Sequence, residues 1–246
     1  MFAKFGVKSD SMKKLIGIVF CMMTISLMAQ HQGSHHIWEG LLQKYVNEKG
    51  EVNYAAWQRN DVEALERYCH SLGANGPQAG WSINEQKAYW VNVYNAFTIK
   101  LILTYYPIQS IKDIQDPWDD DVVVLGADTM SLNHVEHEIL RKRYNDPRIH
   151  VGVNCASISC PKLFNHAFTK DNIDEALDKL MREFLSDGTK NQVFKNELRL
   201  SMIFNWFKSD FTQNGTLIDY INSFTPVKVS QEAFISYIDY NWKLNE

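Results

Sequence analysis

The sequence predicts an α+β fold in one domain, with several helices around a small antiparallel sheet. The first observation behind this is that amphipathic helical stretches follow one another in runs, and the second is that short extended segments come in pairs as hairpins. The third is that no repeat, low-complexity tract or long linker interrupts the chain. We therefore predict a single globular domain over residues 31–246, preceded by a separate segment, residues 1–30.

Six stretches have the apolar spacing of helices. In residues 35–46 the stripe is followed by Gly50, a residue type that commonly follows a helix C-terminus. The longest stretch, residues 84–105, ends before Pro107. The predicted helices cover residues 35–46, 61–72, 84–105, 171–185, 205–211 and 217–224.

The extended segments give two hairpins and two further strands. Residues 122–125 and 129–132 flank a Gly-Ala-Asp turn, and residues 192–194 and 198–202 form the second pair. Residues 148–154 alternate polar and apolar side chains as a strand does, and residues 234–242 do so again. Between these segments we predict a helix over residues 134–141, with Asn133 as its N-cap and Glu136 as the capping acid.

Residues 1–30 have the pattern of a secretory signal peptide. Four lysines precede an apolar stretch over residues 15–28, which is shorter than the about 20 residues that span a bilayer. An uncleaved membrane anchor is the alternative. We expect an exported protein of the periplasm or cell envelope with no transmembrane span after cleavage.

The composition excludes one class of partner. The chain has 246 residues, 45% of them hydrophobic, and a net charge of -4. A chain of this size buries a sizeable core, and its charge gives no general attraction for nucleic acid. We expect a small-molecule or peptide ligand, and neither a cofactor nor a metal.

Reactive residues concentrate in residues 146–161. This stretch contains His150 and Cys155 five positions apart, followed by Cys160. Strand alternation points His150 and Cys155 to opposite faces unless the turn near Asn154 reverses one of them. A strand that ends in a reactive loop is a common place for chemistry, because the scaffold fixes the loop.

The cysteines leave two interpretations open. Once Cys21 is removed with the signal, Cys69, Cys155 and Cys160 remain, an odd number that leaves at least one thiol free or paired between molecules. Cys155 and Cys160 form a small disulfide loop in one interpretation. In the other, Cys155 is a free nucleophile.

The candidate catalytic group is Cys155 with a histidine, either His150 or His137. A thiol becomes a good nucleophile when a base or positive field lowers its pKa, and Glu136 is a candidate to orient the imidazole. A metal site from the same histidines is disfavoured, since the i, i+4 histidine pair of zinc hydrolases is absent.

Two further pairs are candidates for substrate binding. Asn92 and Asn95 lie on one face of the long apolar helix, where buried amides need hydrogen-bond partners. They either tie the helix to neighbouring backbone or hold a substrate carbonyl. Arg141 and Arg148 are candidates to bind a substrate carboxylate.

Five motifs resemble those of one family, the domain of unknown function family 547, found in bacterial exported proteins and in plant and animal proteins. They are WVNVYNA (90–96), SLNHVEH (131–137) followed by Ile139-Leu140-Arg141, DPRIH (146–150), CASISCP (155–161) and YNWKLN (240–245). The resemblance covers residues 35–246. The polar positions that it singles out are Asn92, Asn95, Glu136, His137, Arg141, Arg148, His150 and Cys155.

The resemblance implies no established activity. Plant relatives often carry serine near the second cysteine, which favours Cys155 as the nucleophile over a family-wide disulfide. A link to papain- and transglutaminase-like thiol enzymes is by analogy only, since the histidines here precede the cysteine. We hypothesise a cysteine-dependent hydrolase or acyltransferase acting on peptide or amide bonds. The alternative is a non-catalytic ligand- or protein-binding module with a buried polar network.

Overall fold

Ten helices, one of them continuing a π-helix, and five short strands make up the part of the chain that the structure, a computed structural model, describes, residues 35–246. The predicted signal peptide, residues 1–30, lies outside the described residues, and so do positions 31–34 of the predicted mature chain. The helices are α1 (His36–Tyr45), α2 (Tyr54–Asn60), α3 (Val62–Ala74), α4 (Ile83–Tyr105), α5 (Lys142–Tyr144), which continues a π-helix over His134–Arg141, α6 (Ile149–Gly152), α7 (Ile173–Ser186), α8 (Ile203–Trp206), α9 (Lys208–Phe211) and α10 (Leu217–Phe224).

The strands form two small sheets. Strands β1 (Val123–Leu125) and β2 (Asp128–Met130) are an antiparallel hairpin. Strands β3 (Gln192–Val193), β4 (Glu197–Ser201) and β5 (Phe234–Ile238) form a second sheet in the order β3-β4-β5. The α+β prediction and both hairpins are confirmed, and the second sheet adds a parallel pair, β4 with β5, whose connection runs through α8, α9 and α10.

Helix α4 is the central element of the core. Its N-terminus is a capping box, in which Ser82 accepts the backbone N–H of Glu85 and Glu85 accepts that of Ser82. Most of its side chains from Lys87 to Leu103 are buried, which is the pattern of a helix packed on all sides. It contacts α3, α7 and the π-helix, so the elements that carry the reactive residues are arranged around it.

Both asparagines of α4 bind backbone groups. The Asn92 amide donates to the Phe168 carbonyl at 2.7 Å and accepts the Phe168 N–H at 3.0 Å. The Asn95 amide donates to the Gly152 carbonyl at 2.8 Å and accepts the Asn154 N–H at 2.9 Å. The interpretation of these residues as ties between the helix and neighbouring backbone is confirmed, and Asn95 fixes the segment between His150 and Cys155.

The predicted strand over residues 148–154 is wrong, because Ile149–Gly152 is the helix α6. The Asp146 carboxylate accepts the Arg148 N–H at 3.1 Å, and Pro147 suits the first turn of a helix. All four residues of α6 are buried, so alternation of residue type here does not report alternating exposure.

Three smaller differences follow from local hydrogen bonds. Helix α2 is not among the predicted helices; Asn53 caps it by accepting the Ala56 N–H at 3.0 Å. Asn133 is not an N-cap; Ser131 accepts the His134 N–H, and the Asn133 amide donates to Asp119. The last strand ends at Ile238, after which the chain turns back towards residues 154–161.

A buried ion network holds α4, α6 and α7 together. Lys87 on α4 donates to Asp146 at 2.7 Å, and its side chain is 5% exposed. Arg148 binds the same carboxylate and also Asp174 and Asp178 on α7. Burial raises the pKa of Asp146, but hydrogen bonds from Arg148 and Lys87 outweigh burial and lower this pKa to about 2.

We predict that Asp146→Asn lowers the free energy of unfolding by about 3 kcal/mol near neutral pH, because buried Lys87 then keeps only its longer contact, 3.4 Å, to the carboxylate of Asp174. The Asp146 pKa is lower in the folded than in the unfolded protein, so its contribution is present above about pH 4 and is lost as pH falls towards about pH 2. The difference in free energy of unfolding between parent and variant, measured by urea unfolding, should therefore decrease by about 2 kcal/mol over that pH range. Glu138→Gln, which removes an exposed ion pair with Lys142, is the control and should leave the free energy of unfolding close to that of the parent. A gap that stays constant down to about pH 2 would contradict the assignment.

We also predict that Asn95→Ala destabilises the protein by about 3 kcal/mol, since it leaves the Gly152 carbonyl and the Asn154 N–H buried and unpaired. Chemical unfolding measures this loss. Thr104→Ala on the exposed face of the same helix is the control and should stay within about 0.5 kcal/mol of the parent. Equal stability of the two variants would show that the Asn95 bonds do not hold the segment.

Candidate functional site

One cleft of about 160 Å³ brings the four predicted catalytic residues together. Cys155, His150, His137 and Glu136 all contribute to its lining. Its walls are largely aromatic and apolar. The remaining lining residues are Tyr94, Trp118, Asn133, Val153, Cys160, Pro161, Ile203, Trp206, Phe207, Tyr240 and Trp242.

His150 is held between two carboxylates. Its Nε2 lies 2.8 Å from Asp210 Oδ2, and its Nδ1 lies 3.8 Å from Glu136 Oε1. The ring is 2% exposed and stacks on Phe207 with a centroid separation of 4.0 Å. An ionised carboxylate only accepts hydrogen bonds, so in neutral His150 the proton is on Nε2 and the lone pair is on Nδ1.

Asp210 in turn is fixed by Arg141. The guanidinium binds the carboxylate in a bidentate pair, with Nε to Oδ2 at 2.6 Å and Nη2 to Oδ1 at 2.8 Å. Burial raises the pKa of Asp210, but hydrogen bonds from His150 and Arg141 outweigh burial and hold that pKa far below its usual value. Arg141, a predicted substrate-binding residue, therefore serves Asp210 in this structure.

His137 is less suited than His150 to act as the base. Its Nδ1 lies 3.1 Å from an Arg141 N–H, and arginine can only donate. In the neutral ring the other nitrogen then carries the proton, so neither ring nitrogen has a free lone pair to accept one. Of the two histidines left open by the sequence, the geometry favours His150.

Glu136 and His137 come from the π-helix, a wider turn that is often found at functional sites. Glu136 is 8% exposed and is hydrogen-bonded to Tyr94 of α4. Burial, followed by the charge of Glu136, raises the pKa of Tyr94 well above its usual value, so Tyr94 remains a neutral donor to the carboxylate.

The cysteine turn, which we define as residues 154–161, is fixed by its own backbone and by Asn154. Ala156 has a φ of 59°, in the left-handed region, and its N–H donates to Asn154 Oδ1 at 2.9 Å. The Asn154 amide also donates to the Pro161 carbonyl at 2.8 Å. Cys155 and Cys160 are both free thiols in this turn, so the disulfide interpretation is not the state described here.

The two thiols share a set of hydroxyl groups. Cys155 Sγ lies 3.3 Å from Ser157 Oγ and 3.3 Å from Tyr240 Oη. Cys160 Sγ accepts the Cys155 backbone N–H at 3.1 Å and the Tyr240 hydroxyl at 3.2 Å. The hydrogen bonds of Cys155 therefore go to this cluster rather than to His150.

These contacts make the pair titrate as one unit. Burial raises the pKa of Cys160, but hydrogen bonds from Cys155 and Tyr240 outweigh burial and lower it to about 6. The hydrogen bond to Cys160, with burial, raises the pKa of Cys155 well above its usual value. The pair thus holds one proton between two sulfurs near neutral pH, and that proton belongs to the pair.

None of the four predicted substrate-binding residues contributes to the cleft lining. Asn92 and Asn95 bind backbone, Arg148 binds three aspartates, and Arg141 binds Asp210. The sequence analysis in turn missed Asp210 and Tyr240 as site residues. Tyr240 had a signal in the YNWKLN motif, whereas Asp210 lies in a stretch marked only by helical spacing.

The described residues contain neither a metal site nor a membrane-spanning helix. Within residues 35–246, no group of three or more His, Cys, Asp and Glu side chains is arranged to hold a metal ion. In the same part of the chain, no helix has both the length and the apolar character needed to cross a bilayer.

Comparison with known proteins identifies the family and nothing more specific. No curated protein and no solved structure matches the chain. Residues 78–185 match the model of the family described as "Protein of unknown function, DUF547". This range includes Glu136, His137, His150 and both cleft cysteines, while Asp210 and Tyr240 lie beyond it. The match confirms, over residues 78–185, the DUF547 assignment made from the motifs.

Proposed function

We propose that this protein is a cysteine-dependent hydrolase or acyltransferase that acts on peptide or amide bonds. The observation that carries the proposal is that the half-buried Cys155 thiol and a carboxylate-oriented histidine, His150, line the same cleft. A nucleophile and an oriented base in one apolar cleft are the components of covalent acyl transfer. The periplasm or cell envelope is its proposed location, on the strength of the signal-like residues 1–30.

In the proposed reaction Cys155 is the nucleophile. Its proton passes to Cys160, and its sulfur forms a bond to the substrate carbonyl carbon. The carbon–nitrogen bond then breaks, and the leaving nitrogen receives that proton through His150 Nδ1. Asp210 stabilises the transient imidazolium, since it binds the opposite ring nitrogen at 2.8 Å.

The second half-reaction regenerates the thiol. Water, or an acceptor amine in a transferase, attacks the thioester while His150 Nδ1 takes its proton. The carbon–sulfur bond breaks and the proton returns to the cysteine pair. Glu136, 3.8 Å from the same nitrogen, adds negative charge that favours the protonated ring during both steps.

A non-catalytic binding module is the second candidate function. It is favoured by the amides of Asn92, Asn95 and Asn154, which are engaged by protein backbone and make the scaffold rigid. In this alternative the aromatic cleft receives a ligand, and the thiols undergo no acyl transfer. The variants below separate the two candidates, because a binding module retains its function without a nucleophile.

We predict that Cys155→Ser abolishes turnover in a screen of amide and ester substrates while the fold is retained. The reason is that a serine hydroxyl is a weaker nucleophile than a thiol and gives up its proton to Cys160 far less readily. Alkylation of the folded parent, followed by mass spectrometry, should label the cleft pair about tenfold or more faster than Cys69 at about pH 7. Cys69 is the internal control, since burial raises its pKa to about 12. Hydrolysis by Cys155→Ser at the rate of the parent would exclude this mechanism.

We further predict that Asp210→Asn lowers kcat about 10³-fold, because an amide no longer favours the Nε2–H tautomer of His150. The pH dependence of kcat should also shift in this variant, whereas the rate at which the thiol pair is alkylated should stay close to that of the parent. Asp239→Asn, which changes an exposed aspartate, is the control and should retain full activity. Equal kcat for the two variants would remove Asp210 from the mechanism.

A further inference from the structure

The two thiols of the cysteine turn differ in their access to solvent. Cys155 is half-buried, whereas Cys160 is only 4% exposed, and both contribute to the lining of the cleft. A dithiol with one accessible and one shielded sulfur has a defined order of reaction, since an external reagent meets the accessible sulfur first.

The surrounding contacts keep the sulfurs together. Tyr240 Oη lies within 3.3 Å of both sulfurs, and the Cys155 N–H donates to Cys160 Sγ. The turn between them is closed by a Cys160 N–H bond to the Ser157 carbonyl at 3.1 Å. The C-terminal segment holds the turn through two backbone hydrogen bonds. The Ile158 N–H donates to the Lys243 carbonyl, and the Asn245 N–H donates to the Ala156 carbonyl.

We propose that Cys155 and Cys160 form a reversible dithiol–disulfide couple whose reacting partners are small-molecule disulfides, with Cys155 as the attacking and Cys160 as the resolving thiol. This activity goes beyond the proposed hydrolase and does not depend on it. The oxidised form lacks the Cys155 nucleophile, so the couple would also switch off acyl transfer.

The reaction runs in two exchanges. The Cys155 thiolate attacks one sulfur of the disulfide RSSR; a Cys155–SR bond forms, the S–S bond of RSSR breaks, and the first RS⁻ leaves and is protonated. Cys160 then attacks Cys155 Sγ as a thiolate; the Cys155–Cys160 bond forms and the second RS⁻ leaves. The two thiols lose two electrons and two protons, and RSSR is reduced to two RSH.

The cleft limits the size of the reagent. Its volume of about 160 Å³ is that of about five water molecules, and its walls are mostly aromatic. A small disulfide with short, uncharged arms fits such a space beside Glu136. The disulfide of a folded protein does not fit, so the substrate class is restricted to small molecules.

The experiment uses the full chain, reduced and freed of reductant, with oxidised mercaptoethanol as the probe. Samples are quenched by alkylation, and intact and peptide masses are followed over time. The variants are Cys160→Ser, Cys155→Ser and, as the matched control, Cys69→Ser, which changes a thiol outside the cleft that is 2% exposed. Circular dichroism checks that each variant is folded. If a variant does not fold, formation of the Cys155–Cys160 disulfide is tested on the parent alone.

The parent and Cys69→Ser should lose two hydrogen atoms in a Cys155–Cys160 disulfide and carry no lasting adduct. Cys160→Ser should stop at a mercaptoethanol adduct on Cys155, and Cys155→Ser should form an adduct about tenfold or more slowly than Cys160→Ser. A stable adduct on Cys155 or Cys160 of the parent, no reaction at either of these thiols, or equal rates for the two cleft variants would each overturn the proposal. Because no amide substrate is present, these outcomes are independent of whether the protein is a hydrolase.

Discussion

The side chain of Asn95 joins the central helix to the whole reactive segment. Its amide holds the Gly152 carbonyl and the Asn154 N–H, so the last residue of α6 and the first residue of the cysteine turn are fixed to α4 at one point. His150 lies just before this point and Cys155 just after it. Both bonds are buried, where water cannot replace them. The relative position of the two reactive side chains therefore depends on this one amide.

Close packing on the other side of the segment reinforces that constraint. A β-carbon added at Gly152 would lie 2.8 Å from Cδ2 of Leu177 on α7, so any larger residue at this position would force the Leu177 side chain to shift. The ion network of Lys87, Asp146 and Arg148 ties the start of the same short helix to the same two neighbours. A four-residue helix has little stability of its own, so tertiary bonds hold it.

The sequence predicts the long elements well because their signals are local. α1, α4, α7 and α10 follow apolar spacing with glycine, proline or capping residues at their ends, and the hairpins follow their turns. The alternation of polar and apolar residues in segment 148–154 is typical of a strand with one exposed face. His150 is buried instead, since Asp210 satisfies it from a distant part of the chain.

The candidate site shows the same division between local and distant signals. Cys155, His150, His137 and Glu136 could be chosen by residue type, and all four line one cleft. The partners that decide their chemistry come from elsewhere: Asp210 follows His150 by 60 positions and Tyr240 follows Cys155 by 85. No spacing rule connects residues so far apart, so the choice between His150 and His137 needed the fold. Arg148 is the converse case. It lies inside a motif and is a candidate to bind a substrate carboxylate, but it binds the structural carboxylates of Asp146, Asp174 and Asp178.

The site also extends beyond the segment that the family model matches. Residues 78–185 supply the thiols and both histidines, but the carboxylate on His150 and the hydroxyl between the sulfurs come from the last quarter of the chain. That last part is held in place by Asn245, whose side chain accepts from Tyr54 at 2.7 Å and donates to Gly50, and whose backbone joins Val52 and Ala156. The chain end therefore closes over the cysteine turn and pairs it with the segment before α2. Since Tyr240 lies on the way to this closure, the ionisation of the thiol pair depends on the docking of the C-terminal segment, and the chemistry of the cleft is a property of the complete fold.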